Sequence, residues 1–335
     1  MRRAWLDVIY MGTNITKEIG VDLRSFSFTE KSDGEADEIS LSLADPQRRW
    51  QNAWAPSPGD RIRPVIRCRD WFAEGDAYEL DCGEFEEDED ELDSSSGGDV
   101  VEIKAVPAIV NSSLAGQRKT KSWEGVGLRS IAGDIAAKAG LTLVYQASDI
   151  PMKRTDQRQE SDLAFLQRIC REHGCRLKLS DGNLIIFEGK QADAALPVII
   201  NRRSGDNFRG RRATADVYSK AEVTYFDPLT GKQTRYEYTP DDAPKTGKVL
   251  TINQRVESAA QAERVAKAEL RAKNSKQKEA DWSGMGHPLI RAGSTILVQG
   301  WGQYDGLYSV KEAGHEFSDG GAYKTTAKME MALNY

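Results

Sequence analysis

The chain has 335 residues, enough for two or three domains and a substantial buried core. Its 46 Lys and Arg stand against 52 Asp and Glu, a formal net charge of −6, which argues against a general nucleic-acid binder because such a protein needs a basic face to neutralise phosphates. No apolar run approaches the length that spans a bilayer, and the N-terminal MRRAWLDVIYMG lacks a sustained apolar core and a small-residue cleavage site, so it reads as a first strand and not a signal peptide.

Residues 4–10 alternate in part and predict a strand. Across 21–29, Val21, Leu23, Phe26 and Phe28 are set against charged or small residues, and Asp33-Gly34 marks a turn. Ile39, Leu41 and Leu43 then face one way and Ser40 and Ser42 the other, the period of a half-buried strand, which Asp45-Pro46 ends. A turn over 56–60 leads into a strand over 61–69. The run DCGEFEEDEDELD at 81–93 is strongly acidic and is followed by SSSGG and a strand over 100–105. This stretch reads as a strand, a long solvated acidic loop and a return strand. The first ~110 residues thus predict about six strands and no convincing helix, which suits a small barrel or sandwich.

The composition changes near Asn111, and residues 114–118 read as a crossing to the next module. Beyond Trp123, the residues Val126, Leu128, Ile131, Ile135 and Ala136 lie on one helical face, ended by Gly140; Leu141, Leu143 and Tyr145 predict a short strand. Residues 156–188, DQRQESDLAFLQRICREHGCRLKLSDGNLIIFE, read as a polar lead-in, an amphipathic helix and a tight hairpin. Ser161 or Asp162 can cap the helix, because either side chain can accept from free N–H groups of the first turn. Leu163, Leu166, Ile169 and Cys170 recur at helical spacing with Phe165 widening the stripe, and Gly174 stops the helix. Leu177 and Leu179 alternate with Lys178, Asp181-Gly182-Asn183 is turn chemistry, and residues 184–187 return as a strand. Residues ~117 to ~189 therefore predict a compact α+β insert with about two helices and two or three short strands.

Residues 191–196 are linker-like. From Val198 the β-pattern resumes, with strands over 217–226 and 233–239 flanking the turn residues 227–231. Residues 258–273 are alanine-rich and helical, with Glu263/Lys267 and Glu269/Lys273 in the favourable order and a weak apolar stripe of Ala262, Val265, Ala266 and Leu270. Strands over 295–299, 306–311 and 323–333 follow. The expected fold is mainly β with an α+β insert: a β-barrel module over 1–115, a small helix-containing domain over 116–190, and a second β-barrel module over 191–335 that carries the alanine-rich helix.

Four constellations invite a chemical reading. Cys170, His173 and Cys175 form C-x2-H-x-C, three soft ligands where zinc needs about four, and no fourth ligand has the right spacing; a buried thiol, a solvent-facing histidine and a small strand residue is the preferred reading. Asp88, Asp90 and Asp93 could mimic a calcium loop but lack its glycine turn and terminal glutamate, so a solvated hairpin loop is preferred, with a channel or a basic partner patch as a further reading. GDNFRGRR at 205–212 lacks the Lys-Ser/Thr ending of a phosphate loop and reads as a surface loop, either touching an acidic partner or simply solvated. WSGMGHP at 282–288 puts Trp282 beside flexible glycines, where it either anchors a loop on a neighbour or caps its own barrel. Carboxylates are plentiful, but nothing places two across a cleft, and His173, His287 and His315 have no serine or cysteine partner in a nucleophile elbow. The cysteines, Cys68, Cys82, Cys170 and Cys175, are spaced too unevenly for a disulfide framework, so a reducing cytoplasm at synthesis is expected. No catalytic, cofactor-binding or metal residue is assigned, and no cofactor is expected.

The pattern D-Q-x-x-E-S-D-x-x-F-L, a helix, then D-G-x-L-x-F, resembles the phage late control protein D family, the hubs of contractile phage tails and related injection machines. The resemblance extends to VDLRSFSFTEKSDGEADEISLSLAD at 21–45, Pro58-Gly59-Asp60, Cys82-Gly83-Glu84-Phe85, Ser122-Trp123, Ile131, Ala136, Gly140-Leu141, and more loosely the strands at 292–300 and 305–315. It implies two tail-tube-like barrels per chain and a homotrimer whose six barrels match a sixfold tail tube on one side and a threefold spike on the other. The insert would sit outside the ring. Implied partners are the spike trimer, the tail tube protein, the tape-measure protein and other baseplate proteins, with no specific nucleic acid and no membrane insertion. The particle would be a phage or a phage-tail-like tailocin, assembled in the host bacterial cytoplasm. The other readings are a tail-associated cell-wall hydrolase or glycan-binding domain, and the VgrG-like hub of a type VI secretion spike, whose needle would then be a separate protein.

Overall fold

The computed structural model describes residues 1–335 except 33, 35, 108–112, 181, 189–195, 228–230, 255, 257 and 319–320. The turns predicted at Asp33, Asp181 and 228–230, the change near Asn111 and most of the 191–196 linker lie outside the described residues.

A 14-stranded sheet holds most of the strands among the described residues. Across it run Asn207–Arg212, Lys278–Met285, Ala322–Met331, Gly306–Ser318, Leu23–Lys31, Glu38–Ala44, Gly98–Pro107, Phe85–Ser95, Arg61–Arg69, Arg3–Tyr10 and Thr13–Asn14. Val198–Asn201, Thr295–Gln299 and Ala77–Asp81 join at the side. The fold is mainly β with few helices. The two ends of the chain meet at one antiparallel pair, Gly306–Ser318 against Leu23–Lys31, with Glu312 opposite Lys31 and Ser318 opposite Ser25. No pairing among the described residues closes either half of the sheet into a ring.

Period-two patterning explains where the sheet is buried. Phe26 and Phe28, then Ile39, Leu41 and Leu43, form one core with Ile62, Ile66, Phe85 and Ile103, and the C-terminal side chains Phe317 and Tyr323 complete it. Val21 is 83% exposed and takes no part. A second core gathers Ile200, Trp282, Ile296, Tyr308, Val310 and Met329. Beyond it, the strands Lys232–Tyr238, Lys220–Asp227 and Val249–Ile252 form a three-stranded sheet. The helix Ala259–Asn274 packs there through Ala262, Val265, Ala266 and Leu270. Small residues on one face let that helix lie close to the strands, Ser258 caps it, and Glu263 bonds Lys267 at 2.6 Å.

The insert has its own core of Ile131, Ile135, Phe165, Leu166, Ile169 and Ile186 around the helices Leu128–Lys138 and Asp162–Glu172. Ser161 is the cap of the second helix, its hydroxyl accepting from the Ala164 N–H at 3.2 Å, while Asp162 turns inward to Gln157. Gly174 has φ +74°, the left-handed conformation that ends the helix at low cost for glycine. Among the described residues the insert holds five strands, where two or three are predicted. The 156–160 lead-in is part of the strand Arg154–Ser161, paired with Arg118–Glu124. Polar sequence hides it, because no apolar residue marks its one buried position, Gln157.

Other corrections have the same cause. The acidic run is the strand Phe85–Ser95, hydrogen-bonded along its length to Gly98–Pro107; backbone pairing holds it although its side chains beyond Glu87 are exposed. Residues 205–212 are likewise not a loop, since Asn207–Arg212 pairs with Lys278–Met285. Among its described residues the N-terminal stretch holds eight strands and the four-residue helix Thr16–Ile19. No helix among the described residues is long and apolar enough to cross a membrane.

Phe165 is fully buried whereas Leu163 on the same helix is only partly so. Phe165→Ala is expected to destabilise the fold by about 3–5 kcal/mol and Leu163→Ala by clearly less, read from denaturant midpoints.

Candidate functional site

Three parts of the chain converge on one carboxylate. Glu30 shares the strand Leu23–Lys31 with Phe26 and Phe28, and period two turns it inward with them; its side chain is 2% exposed. Lys178, from the insert strand Cys175–Ser180, donates to it at 2.5 Å. Arg291, from the turn before Thr295–Gln299, donates through Nε and one Nη at 3.1 Å each, and the Ala292 N–H donates at 3.0 Å. Burial pushes the Glu30 carboxyl up, but Lys178 and Arg291 outweigh it and hold it below its ordinary range. Nearby Asp37 accepts from the Lys31 N–H at 2.9 Å, and burial raises its carboxyl to about 6 despite Lys178.

A second tie joins the two ends of the sheet. The Trp71 indole donates to the Gly286 carbonyl at 2.6 Å, and Tyr323 stacks on Phe317 with centroids 4.7 Å apart. A Cβ on Gly286 would lie 2.1 Å from the Tyr323 ring, so only glycine fits this approach. His315 is fully buried; its Nε2 faces the Ile290 carbonyl at 3.0 Å and its Nδ1 faces the Tyr323 hydroxyl at 2.8 Å. The carbonyl can only accept, so Nε2 carries the proton and Nδ1 accepts from a hydroxyl, that of Tyr323 at 2.8 Å or of Thr325 at 3.2 Å.

Beside the Glu30 junction lies a groove of about 890 Å³, bounded by the end of Leu23–Lys31, the ends of the helices Asp162–Glu172 and Ala259–Asn274, and the strands Gly306–Ser318 and Ala322–Met331. Nine Lys and Arg side chains line it against four Glu, so it is cationic within an acidic chain. Arg171 and Lys276 are exposed in it with no carboxylate partner among the described residues, and the Nε of Arg264 is buried without a hydrogen bond. The opposite charge gathers on the Phe85–Ser95 hairpin strand, where Asp88, Glu89, Asp90, Glu91 and Asp93 are all exposed.

The C-x2-H-x-C residues end up in the insert core and at the groove wall. Cys170 and Cys175 are buried free thiols; burial pushes Cys170 well up and Cys175 to about 12. His173 is half-buried and not solvent-facing, and burial lowers it to about 4. No group of three or more His, Cys, Asp or Glu among the described residues is arranged to hold a metal. Asp88, Asp90 and Asp93 lie along a strand and not around a loop. Trp282 is buried in its own module's core, paired across from Phe208, and Arg211 bonds Glu279 at 3.0 Å. Sequence reasoning missed Glu30, Lys178 and Arg291. The signal for Glu30 was present, since a lone charge at i+2 after two aromatic core positions belongs to the buried face.

Sequence comparisons identify the family, and structure comparisons match the fold. The family model described as phage tail baseplate hub (GPD) matches residues 84–321. The chain is 25% identical over 292 residues to a probable baseplate hub protein of Escherichia phage 186, covering 85% of this chain and 69% of that one. It is 26% identical over 239 residues to a probable baseplate hub protein of Escherichia phage P2, covering 69% of this chain and 56% of that one. Its fold is similar to the 43 kDa tail protein of prophage MuSo2 from Shewanella oneidensis, with TM-score 0.71, 15% identity and 98% of each chain covered.

Burial lowers His315 to about 4 from the ordinary 6.5, so below pH 6.5 the unfolded chain takes up a proton that the folded chain refuses. This stability is complete above pH 6.5 and is lost as pH falls towards 4. His173 and His287 act in the same sense, while the raised Asp37 opposes them below about pH 6. Unfolding midpoints measured from pH 7 to pH 4 are expected to fall, and to fall less steeply in His315→Gln; equal slopes would contradict the assignment.

Proposed function

This chain belongs to the phage tail baseplate hub (GPD) family, and from that premise we propose that three copies form a ring joining the sixfold tail tube to the threefold spike. The observation that carries this reading is the doubling of the β core: one chain holds two sheet cores on either side of the Leu23–Lys31 and Gly306–Ser318 pair. Three chains then present six similar modules. The proposed modules are 1–115 and 191–335, both barrel-like, with the insert 116–190 outside the ring; the separate insert core supports that division.

In this reading the ring faces the tube protein on one side and the spike trimer on the other, touches other baseplate proteins, and passes the tape-measure protein through its channel. The chain acts by shape and buried area, without catalysis or cofactor, and assembles in the host bacterial cytoplasm before joining the virion tail. Exposed Met11, Trp54, Ile199, Leu289 and Leu307 support it, because obligate contacts bury apolar side chains that an isolated chain leaves in water.

Light scattering across a wide concentration range is expected to give three times the 37.2 kDa chain mass, or, with the spike protein added, a complex whose mass accounts for three copies of this chain plus the bound spike. A strict monomer under both conditions would refute the ring.

A further inference from the structure

We propose that the ring is held by a head-to-tail contact in which the acidic hairpin of one copy occupies the cationic groove of the next. This rests on the ring reading and names the surfaces that close it. The groove lies at the Lys31 end of the strand Leu23–Lys31. The hairpin tip lies at the other end: Ala44 pairs with Val100, Asp93 pairs with Val100, and Leu23 pairs with Leu43. Asp90 and Glu91 lie level with Phe26 and Ser25, so five or six residues of Leu23–Lys31, roughly 20 Å of extended chain, and the width of three strand pairings separate these carboxylates from the groove. A copy therefore cannot place its own hairpin in its own groove, but a neighbour can.

The two surfaces also match in character. Beyond Glu86 the outer edge of Phe85–Ser95 has no strand partner among the described residues, and both faces of 88–95 are exposed. Its carboxylates are crowded together: Asp90, Asp60 and Asp88 add to burial in raising the neighbouring Glu87 carboxyl, so a cationic partner relieves real repulsion. Within the groove Arg171 and Lys276 offer unpaired charge, and the buried Arg264 Nε is an unused donor. The contact joins two different patches, so it is heterologous and generates a closed ring when its rotation fits. The same repulsion along the strand edge disfavours simple edge-to-edge pairing of two hairpins.

The test is charge reversal read by solution mass, with circular dichroism confirming that each variant is folded. Asp90→Lys with Glu91→Lys, and separately Arg171→Glu with Lys276→Glu, are each expected to raise the ring's dissociation constant by about a hundredfold or more, as close charge pairs do. Combining the four changes is expected to restore most of the association. If a reversed variant fails to fold, Asp90→Asn with Glu91→Gln and Arg171→Gln with Lys276→Gln test the same contact with weaker loss. Variants as trimeric as the wild type overturn the contact and leave the ring standing. Loss in the hairpin variant alone, without rescue, overturns the groove as its acceptor. A wild type that stays monomeric with spike protein present overturns both.

Discussion

The arrangement of the protein depends on one buried carboxylate. Glu30 accepts from Lys178 of the insert, from Arg291 of the C-terminal half and from the Ala292 backbone, so three stretches far apart in sequence are held by a single side chain. Such a cluster is a weak source of net stability, because each charge loses its water on burial. Its value is orientation. Arg291 presents a planar fork that matches a carboxylate in one geometry, and Lys178 can reach Glu30 only when the hairpin Cys175–Glu188 sits against the sheet. Apolar surfaces alone tolerate sliding; a charged cluster left half-made does not.

The sheet gives this clamp its reach. Because Gly306–Ser318 pairs directly with Leu23–Lys31, the backbone ladder runs unbroken from one core to the other. Trp71 on Gly286 and the His315–Tyr323 pair tighten the same seam. In the proposed ring, modules fixed relative to one another would matter, since slack between them would spread the contact geometry of every copy. The charge is divided as well, with acid along the exposed edge strand Phe85–Ser95 and base in the groove at the Lys31 end of Leu23–Lys31.

Strands with one buried face were legible in the sequence. Ile39, Leu41 and Leu43 announce theirs by strict alternation, and the helix over 162–172 by the spacing of Leu166, Ile169 and Cys170 with a serine cap before it. Strands built of polar residues were not: Arg154–Ser161 and the exposed outer part of Phe85–Ser95 are specified by partners elsewhere in the chain, and backbone pairing leaves no periodic trace. The Glu30 cluster was hidden for a related reason. Period two placed Glu30 inside, but its cations come from residues 178 and 291, and only the fold brings them within reach. The family resemblance rested on capping and packing residues, which mark a module and are silent about its ion pairs.

The most direct measurement is native-state hydrogen exchange on the wild type and on Glu30→Ala. If Glu30 fixes the three parts together, the variant loses about 3–5 kcal/mol because Lys178 and Arg291 stay buried without their carboxylate. Protection should then fall together in Leu23–Lys31, Cys175–Ser180 and the amides around Ala292. Unchanged stability, or lost protection confined to the strand that carries Glu30, would contradict a shared clamp.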